Sequence, residues 1–294
     1  MRKEKQYFVH GFSSLEDTPF SATDYSKLKF GSNDIAKRFG YELADGFFKS
    51  HYSTLLREQC VVIPSPYNYV KNAATVMSQH FVDRINHLIC INGGNHVEWS
   101  TINRKMSYIN DYGFLTKEKR KELINKDTFF LNKGYLEGKT LIIIDDVNIT
   151  GTHEEKLIDI LNQNKVSNNV FYIYYAKYLK GAIGANIEAE LNFSGIKNIY
   201  DFIELTKEPN HKVIVRPIKF TLSQPHEIFK KVIHLFPEGY VEKLYSGALA
   251  EGYYKIDAYK ENFNYLSASL GFGDFESLNK NQELFNCHKI NFQY

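Results

Sequence analysis

Short apolar runs alternate with amphipathic stretches along the chain up to about residue 180. The apolar runs predict strands at residues 60–64, 87–91, 127–131, 140–145 and 169–176. Apolar positions at helical spacing predict helices at residues 31–50, 70–84, 116–126 and 153–164. This alternation is typical of βαβ units, so it predicts an α/β fold with a mostly parallel sheet flanked by helices.

The chain changes character after residue 180. A mixed stretch to about residue 220 is followed by amphipathic helices predicted at 224–236, 238–251 and 256–270. We therefore divide the chain into three parts: an N-terminal extension, a core, and a mixed, then largely helical C-terminal region, at residues 1–24, 25–180 and 181–294. The apolar stripes of the last part favour helical packing, while a hood over a bound base and a dimer surface stay open as alternatives.

An aliphatic strand ends in two adjacent carboxylates, Asp145 and Asp146, and a Thr-Gly-Thr turn follows. Open α/β sheets bind their ligands at the carboxyl ends of strands. The turn is predicted to point the backbone N–H groups of residues 149–153 toward a helix start near Thr152, which suits a phosphate. Two carboxylates beside a phosphate cradle suit a sugar phosphate, because the acids can hold ribose hydroxyls and lie near Mg²⁺.

Two other interpretations compete for this segment. The acidic pair can be a strand-end turn in which an Asp caps a helix. A P-loop ATPase is the second, because residues 141–146 look like a Walker B strand and residues 138–140 read Gly-Lys-Thr. The ATPase fails on spacing and context: three residues separate Gly134 from Gly138 where the motif needs four, and Gly-Lys-Thr leads into a strand.

The segment resembles the phosphoribosyl-pyrophosphate (PRPP) loop of type I phosphoribosyltransferases, which has four apolar residues, two acids, an apolar residue, any residue, then Thr-Thr-Gly-x-Thr. The residues that fit are Asp145, Asp146, Val147, Thr150 and Gly151, whereas Ile149 and His153 depart from the pattern. The resemblance covers about residues 25–180 and implies the type I fold. It also implies a PRPP ribose and phosphate site made by Asp145, Asp146, Asn148, Ile149, Thr150, Gly151, Thr152 and His153.

Ile149 matters for the acceptor of the reaction. The hypoxanthine/guanine branch of that family carries an aspartate at this position, which handles a purine ring proton, and isoleucine cannot do this chemistry. We therefore expect the acceptor's proton to be handled elsewhere, or to need no protein base.

A proline-rich turn at residues 64–72 is the first candidate for holding pyrophosphate. It is similar to the Gly-Pro-Ala-Tyr-Lys-Gly pyrophosphate loop of the orotate branch, and the similarity implies roles for Ser65, Tyr67 and Lys71. The alternative is a proline turn with a helix-capping Asn.

The second candidate is the long segment at residues 99–112, which lies where the family has a mobile basic lid. Loops of this length inside a compact domain are usually functional. The resemblance implies that Arg104 and Lys105 close over pyrophosphate while Asp111 holds the loop. A solvated charged loop is the alternative.

Recognition of the acceptor has one weak candidate. Lys177 follows the predicted strand at 169–176, where purine enzymes of the family place a lysine against a 6-oxo group, and a surface lysine is the alternative. Residues 29–40, 65–70 and 148–154 together look like a competence-protein-like branch, whose members are predicted phosphoribosyltransferases of bacterial tellurium-resistance and stress gene clusters. That branch implies an unassigned, nucleobase-like acceptor.

Composition narrows the partners and the compartment. The 294 residues include 36 basic and 34 acidic side chains, a net charge of +2, so nothing indicates a surface for nucleic acid. Cys60, Cys90 and Cys287 show no CxxC spacing, and the first two lie in apolar strand-like runs, which predicts buried thiols in a reducing compartment. The start of the chain lacks a signal-peptide core and no window approaches 18 apolar residues, so we expect a cytoplasmic protein without membrane contact.

The resemblance implies an Mg²⁺-dependent phosphoribosyltransferase that transfers ribose 5-phosphate from PRPP to a small nitrogenous acceptor and releases pyrophosphate. Its catalytic residues are expected to be Asp145, Asp146, Arg104 and Lys105, with Mg²⁺ held indirectly by the two acids. The expected partners are PRPP and the acceptor, and a homodimer is compatible with the C-terminal region. A non-catalytic PRPP sensor with the same fold is the alternative, and a structural subunit that binds a sugar phosphate or nucleotide is a third.

Overall fold

The computed structural model describes residues 3–105, 128–180 and 185–273. The strands in these ranges are β1 (Glu4–Phe12), β2 (Cys60–Pro64), β3 (Glu98–Trp99), β4 (Asn103–Lys105), β5 (Thr128–Phe130), β6 (Thr140–Asn148) and β7 (Val170–Tyr178). A central sheet has the order β1-β7-β6-β2-β3 with every neighbouring pair parallel, while β4 and β5 form a short antiparallel pair. The predicted α/β fold with a mostly parallel sheet is confirmed.

Helices connect and follow these strands. They are α1 (Ala22–Lys29), α2 (Asn33–Arg57), α3 (Ala73–Ile91), α4 (Lys133–Leu136), α5 (Thr152–Gln163), α6 (Ala185–Asn192), α7 (Ile199–Thr206), α8 (Val215–Leu222), α9 (His226–Val232), α10 (Tyr240–Ala250) and α11 (Asp257–Ser269), with 3₁₀ turns at Ile233–Leu235 and Tyr253–Lys255. The chain runs from β2 through α3 to β3, and from β6 through α5 to β7. Both are the crossovers that parallel strands require.

The central sheet is covered on both faces. On one face Ile142 of β6 packs in a cluster with Phe47 of α2 and Phe81 of α3. On the other face the neighbouring Leu141 packs with Leu157 of α5. Because alternate residues of a strand point to opposite faces, a strand segment buried on both sides needs consecutive apolar residues, and β6 has them at residues 141–144.

The C-terminal helices have an apolar core of their own. Phe202, Phe229 and Phe263 lie in it, and each is fully buried. Phe30, directly after α1, and Val70, in the turn after β2, belong to the same cluster. The C-terminal helices therefore pack against the two segments that border the carboxyl end of the sheet.

Gly40 allows α2 and α3 to approach closely. A Cβ at this position would lie 2.6 Å from the carbonyl oxygen of Met77 and 2.9 Å from the backbone nitrogen of Phe81. Only a residue without a side chain fits this distance, so the glycine in the middle of α2 fixes the packing of the two helices on the sheet.

The strand predicted at 87–91 is wrong, because these residues form the last turns of α3. Phe81, Ile85 and Ile89 repeat every four residues and all three are buried, which is the spacing of one helix face. The same helix leaves Cys90 exposed, so the predicted burial of this thiol is also wrong, whereas Cys60 is buried. The helix predicted at 116–126 and Cys287 lie outside the described residues.

β1 lies in the part of the chain assigned to the N-terminal extension, and it pairs with β7 at one edge of the sheet. The division of the chain at residues 24 and 180 stays a prediction, and so does the cytoplasmic location. Among the helices in the described ranges, none combines the length and the apolar character that crossing a membrane requires.

Candidate active site

A cavity of about 200 Å³ opens at the carboxyl ends of β2 and β6. From β2 the chain continues to β3, toward one edge of the sheet. From β6 it continues to β7, toward the opposite edge, so the direction of the connections reverses between β2 and β6. Open parallel sheets bind ligands at such a point. The lining comes from the acidic pair, the turn after it, the segment after β2 and the C-terminal helices.

Asp146 is buried in the cavity wall beside a cation. Its residue surface is 4% exposed, and the Lys29 Nζ atom at the end of α1 lies 2.5 Å from its Oδ2 atom. The Tyr25 hydroxyl and the Val147 N–H donate to Oδ1 at 3.2 and 2.8 Å. Burial raises the pKa of the Asp146 carboxyl, but the Lys29 charge and these hydrogen bonds outweigh burial and hold the pKa below its usual value. The acid is therefore ionised at neutral pH.

Asp145 is paired with His153. The His153 Nδ1 atom, in the first turn of α5, lies 3.1 Å from Asp145 Oδ2, while Asp145 Oδ1 accepts the backbone N–H of Asp146 at 2.9 Å. Desolvation lowers the pKa of the His153 imidazole, but the hydrogen bond and charge of Asp145, together with the charge of Glu188, outweigh it and raise this pKa above its usual value. A positive imidazole is thus favoured beside the turn that follows β6.

The predicted phosphate turn is partly held by its own side chains. Gly151 has a φ of 75°, a left-handed conformation that glycine adopts without steric cost, and α5 begins at the next residue. Its N–H donates to Asn148 Oδ1 at 3.0 Å, and the Thr152 N–H donates to Thr150 Oγ1 at 3.4 Å. A phosphate that uses all the amides of residues 149–153 must replace these two bonds.

The turn after β2 is fixed at its base. The Ser65 N–H donates to the carbonyl of Ile144 at 2.8 Å, which continues the sheet pairing. Asn72 caps α3, since its Oδ1 accepts the Thr75 N–H at 2.8 Å, and its Nδ2 donates to the carbonyls of Ser65 and Pro66 at 3.3 Å. The helix-capping Asn of the alternative interpretation is therefore present, and it holds the turn against the cavity.

The base of the predicted lid is joined to this turn. Tyr67 forms a parallel bridge with Asn103, and the Arg104 N–H donates to the Tyr67 carbonyl at 3.1 Å. The Arg104 guanidinium lies 6.0 Å from the centroid of the Phe129 ring and also lines the cavity. Arg104 is thus the predicted lid residue that the structure places at the site.

A carboxylate from the C-terminal helices binds the far side of the same turn. Glu251, the residue after α10, accepts the N–H groups of Tyr69 and Val70 at 2.9 and 2.6 Å. Its second oxygen accepts a hydrogen bond from Asn68 Nδ2 at 3.2 Å. Charge-assisted bonds of this kind are stronger than neutral ones, so the turn is held from both ends.

Two further C-terminal helices bring charged side chains to the wall. α8 begins beside the turn, where the Val215 N–H donates to the Lys71 carbonyl at 3.1 Å. Arg216 and Lys219 of α8 line the cavity, as does Glu188 of α6. The C-terminal region is therefore part of the cavity wall.

An acidic pair followed by a glycine-containing turn, near the carboxyl end of a parallel strand, is what the resemblance implies. The family model described as PRTase ComF-like matches residues 4–266. The chain belongs to the PRTase ComF-like family. The match to this ComF-like family begins with β1 and ends within α11, so it includes the N-terminal strand and most of the C-terminal helices.

Three solved structures similar to this ComF-like chain are phosphoribosyltransferases. A hypoxanthine phosphoribosyltransferase from Staphylococcus aureus is 12% identical, with 48% of this chain and 73% of that chain covered and a TM-score of 0.31. The purine phosphoribosyltransferase from Pyrococcus horikoshii is 12% identical, with 50% and 86% covered and a TM-score of 0.26. A hypoxanthine phosphoribosyltransferase variant from Trypanosoma cruzi, complexed with the product IMP, is 13% identical, with 50% and 75% covered and a TM-score of 0.30. No curated protein matches the chain.

The structure brings most of the predicted site residues of this family member into one cavity. Those that line it are Ser65, Tyr67, Arg104, Asp145, Asp146, Asn148, Ile149, Thr150, Gly151, Thr152 and His153. Ile149 also belongs to the core cluster on the sheet, which accounts for an apolar residue in the turn.

Other predicted residues lie elsewhere. Lys71 lines a separate surface groove together with Lys212, and Lys177 Nζ donates to Gln6 Oε1 at 2.5 Å. The backbone of Lys105 belongs to β4, but its side chain lies outside the described residues, as does all of Asp111.

The sequence reasoning missed the residues that reach the acidic pair from distant segments. Lys29 is separated from Asp146 by 117 residues, and no spacing rule connects the two. The signal that could have pointed to α1 is local: Ser21 caps this short helix, and Tyr25 and Lys29 lie one turn apart on one face.

Proposed function

We propose that the chain transfers the ribose 5-phosphate group of PRPP to a nitrogenous, nucleobase-like acceptor and releases pyrophosphate. One observation carries the proposal: Asp145 and Asp146 lie in a cavity near the carboxyl end of β6, just before a turn that leads into the N-terminus of α5. Membership in the PRTase ComF-like family supports it.

The residues divide the substrate between them. The 5-phosphate binds the N–H groups of residues 149–153 and His153, at a helix N-terminus that favours an anion. The ribose hydroxyls donate to Asp145 and Asp146. A carboxylate accepts about four hydrogen bonds, and among the described residues Asp146 has three partners in Lys29, Tyr25 and Val147, whereas Asp145 has two in His153 and the Asp146 N–H. The diphosphate lies between the 65–72 turn and Arg104.

In the reaction the acceptor nitrogen forms a bond to C1′ while the bond from C1′ to the diphosphate oxygen breaks, and the electron pair leaves with pyrophosphate. Positive charge develops on the ribose and negative charge on the leaving group, so catalysis rests on fixed charges and on orientation. Ile149 cannot accept a proton, so the acceptor's proton leaves with pyrophosphate or passes to water.

We propose that Mg²⁺ reaches the site bound to PRPP. In the described part of the chain, no group of three or more His, Cys, Asp or Glu side chains is arranged to hold a metal. Lys29 and His153 already engage Asp146 and Asp145, so this donor set does not fit direct coordination. Mg²⁺ bound to the diphosphate would supply neutralisation of its charge.

Replacing Asp146 with asparagine tests the PRPP site. We expect the variant to bind Mg-PRPP at least about 10-fold more weakly in titration calorimetry, since it loses charge-assisted hydrogen bonds to the ribose. Asp159→Asn is the matched control, because Asp159 is exposed on α5 and does not line the cavity. An unchanged affinity of the folded Asp146→Asn protein for Mg-PRPP refutes the proposal.

A non-catalytic PRPP sensor is the second candidate function. The observation that favours it is that Lys29 and His153 already pair with the acids, so the site does not need turnover chemistry to be stable. Incubation with Mg-PRPP and a bacterial metabolite extract separates the two functions. Acceptor-dependent release of pyrophosphate identifies an enzyme, and binding of PRPP without release identifies a sensor.

A further inference from the structure

The turn after β2 borders the cavity and is bound by a carboxylate from another segment. Glu251 binds the amides of Tyr69 and Val70 and also lines the cavity. Lys71, which the sequence pattern offers as the cation of this turn, lines a different groove. A diphosphate bound at the turn adds several negative charges next to Glu251, so cations in addition to Arg104 would offset this repulsion.

α8 is the element that supplies them. Its first residue is joined to the turn by the hydrogen bond from the Val215 N–H to the Lys71 carbonyl. Arg216 and Lys219 stand three positions apart, which places them on one face of the helix, and both line the cavity. Lys219 is only 7% exposed, and its Nζ atom lies 5.8 Å from the centroid of the Tyr253 ring.

Arg216 lies near the acidic pair as well as in the cavity wall. Its positive charge acts on the hydroxyl of Tyr25, where it opposes the rise in the Tyr25 pKa that burial and Asp146 cause. That hydroxyl is 3.2 Å from Asp146 Oδ1. Arg216 is therefore a cation near the acids that are proposed to hold the ribose.

We propose that Arg216 and Lys219 bind the diphosphate of PRPP, in the role that the sequence pattern gives to Lys71. The inference rests on the proposed function and deepens it. An arginine binds phosphate oxygens through paired N–H groups and a lysine acts as a point charge, so the two together suit two linked phosphates. Their electrostatic attraction to the leaving group increases as the bond to C1′ breaks and negative charge moves to the diphosphate.

Binding of inorganic pyrophosphate and of Mg-PRPP by the full chain tests the inference. Arg216→Gln and Lys219→Gln are each expected to weaken both affinities by about 10- to 100-fold, the effect of losing a charge-assisted hydrogen bond. Ribose 5-phosphate, which lacks the diphosphate, is expected to bind these variants as it binds the wild type. Lys219→Arg is expected to restore most of the pyrophosphate affinity.

Two other lysines make the comparison specific. Lys212→Gln is the matched control, because Lys212 is exposed three residues before α8 and lines the separate groove. Lys71→Gln tests the competing assignment and is expected to bind pyrophosphate like the wild type. Thermal unfolding followed by circular dichroism identifies any variant that fails to fold. If Lys219→Gln does not fold, the pyrophosphate affinity of the Lys219→Arg protein tests the role of this position.

The outcomes separate the two proposals. If the wild type binds Mg-PRPP but Arg216→Gln and Lys219→Gln keep their pyrophosphate affinity, the inference is overturned while the proposed function stands. The inference is also overturned if Lys71→Gln alone loses affinity, or if the α8 variants lose ribose 5-phosphate equally. If the wild type binds neither Mg-PRPP nor pyrophosphate, both proposals fall.

Discussion

Replacing Lys29 with methionine leaves the Asp146 carboxylate buried without its cation. The two charged groups are 2.5 Å apart, and Asp146 is 4% exposed. At an effective dielectric constant of about 20, charges at this distance attract by about 6–7 kcal/mol before the cost of desolvation is subtracted. Breaking a buried pair by removing one partner usually costs about 3–5 kcal/mol. We therefore expect Lys29→Met to lower the free energy of unfolding by about this amount at neutral pH.

The loss should depend on pH in a defined direction. In the wild type the pKa of Asp146 is depressed, so its contribution is present above the pKa of the unfolded chain and is lost as the pH falls through the folded pKa. In the variant burial acts without the ammonium and raises the pKa of Asp146, so protonation relieves the folded state as the pH falls. The destabilisation is therefore expected to be smaller at about pH 5 than at about pH 7.5.

Urea unfolding followed by circular dichroism at both pH values measures this effect. The matched control is Lys49→Met, the same change at an exposed position of α2, for which we expect less than about 0.5 kcal/mol. The double variant Lys29→Met with Asp146→Asn should recover part of the loss, because no unpaired charge remains. A loss no larger than that of the control, or one that does not shrink on acidification, contradicts this reasoning.

Two further predictions concern pH dependence and packing. Burial lowers the pKa of His211 to about 4, so on acidification the unfolded chain binds a proton before the folded chain does. The free energy of unfolding is therefore expected to fall by up to about 3 kcal/mol between about pH 6.5 and about pH 4. Urea unfolding of His211→Gln should lack this decrease, and a pH profile identical to that of the wild type would refute the assignment. Gly40→Ala places a Cβ 2.6 Å from the Met77 carbonyl oxygen and is expected to lower the free energy of unfolding by about 1–3 kcal/mol. Gly134→Ala, where the nearest atom to the new Cβ is 3.8 Å away, should change it by less than about 0.5 kcal/mol in the same assay. Equal effects would exclude the close approach of α2 and α3 as the cause.

The strands next to the site could be predicted because their buried positions include several consecutive apolar residues. β2 is buried along its whole length and β6 is buried except at Val147, and each contains consecutive apolar residues, at 60–64 and 141–144. The run at 87–91 has the same local appearance but continues a helix, and short apolar runs do not separate the two cases. β1 was missed because it begins with charged, exposed residues at the edge of the sheet.

The site itself divides in the same way. Asp145, Asp146 and the turn after them are contiguous in sequence, so their chemistry could be predicted from one segment. Lys29 and Arg216 reach the cavity only because α1 and α8 pack at the carboxyl edge of the sheet, and such contacts depend on the tertiary fold. Whether Lys71 faces the cavity or the outer groove depends on the direction of one side chain in an irregular turn, which no spacing rule determines.

The bond between Glu251 and the turn has a consequence for how the chain acquires its site during synthesis. The carboxylate and the Tyr69 amide that it binds are 182 residues apart in sequence. At about 5–20 residues per second, a ribosome makes the turn roughly 10–40 seconds before it makes the acid that holds it. A nascent chain can therefore form the parallel strands, and expose the acidic pair, well before the turn reaches its final conformation.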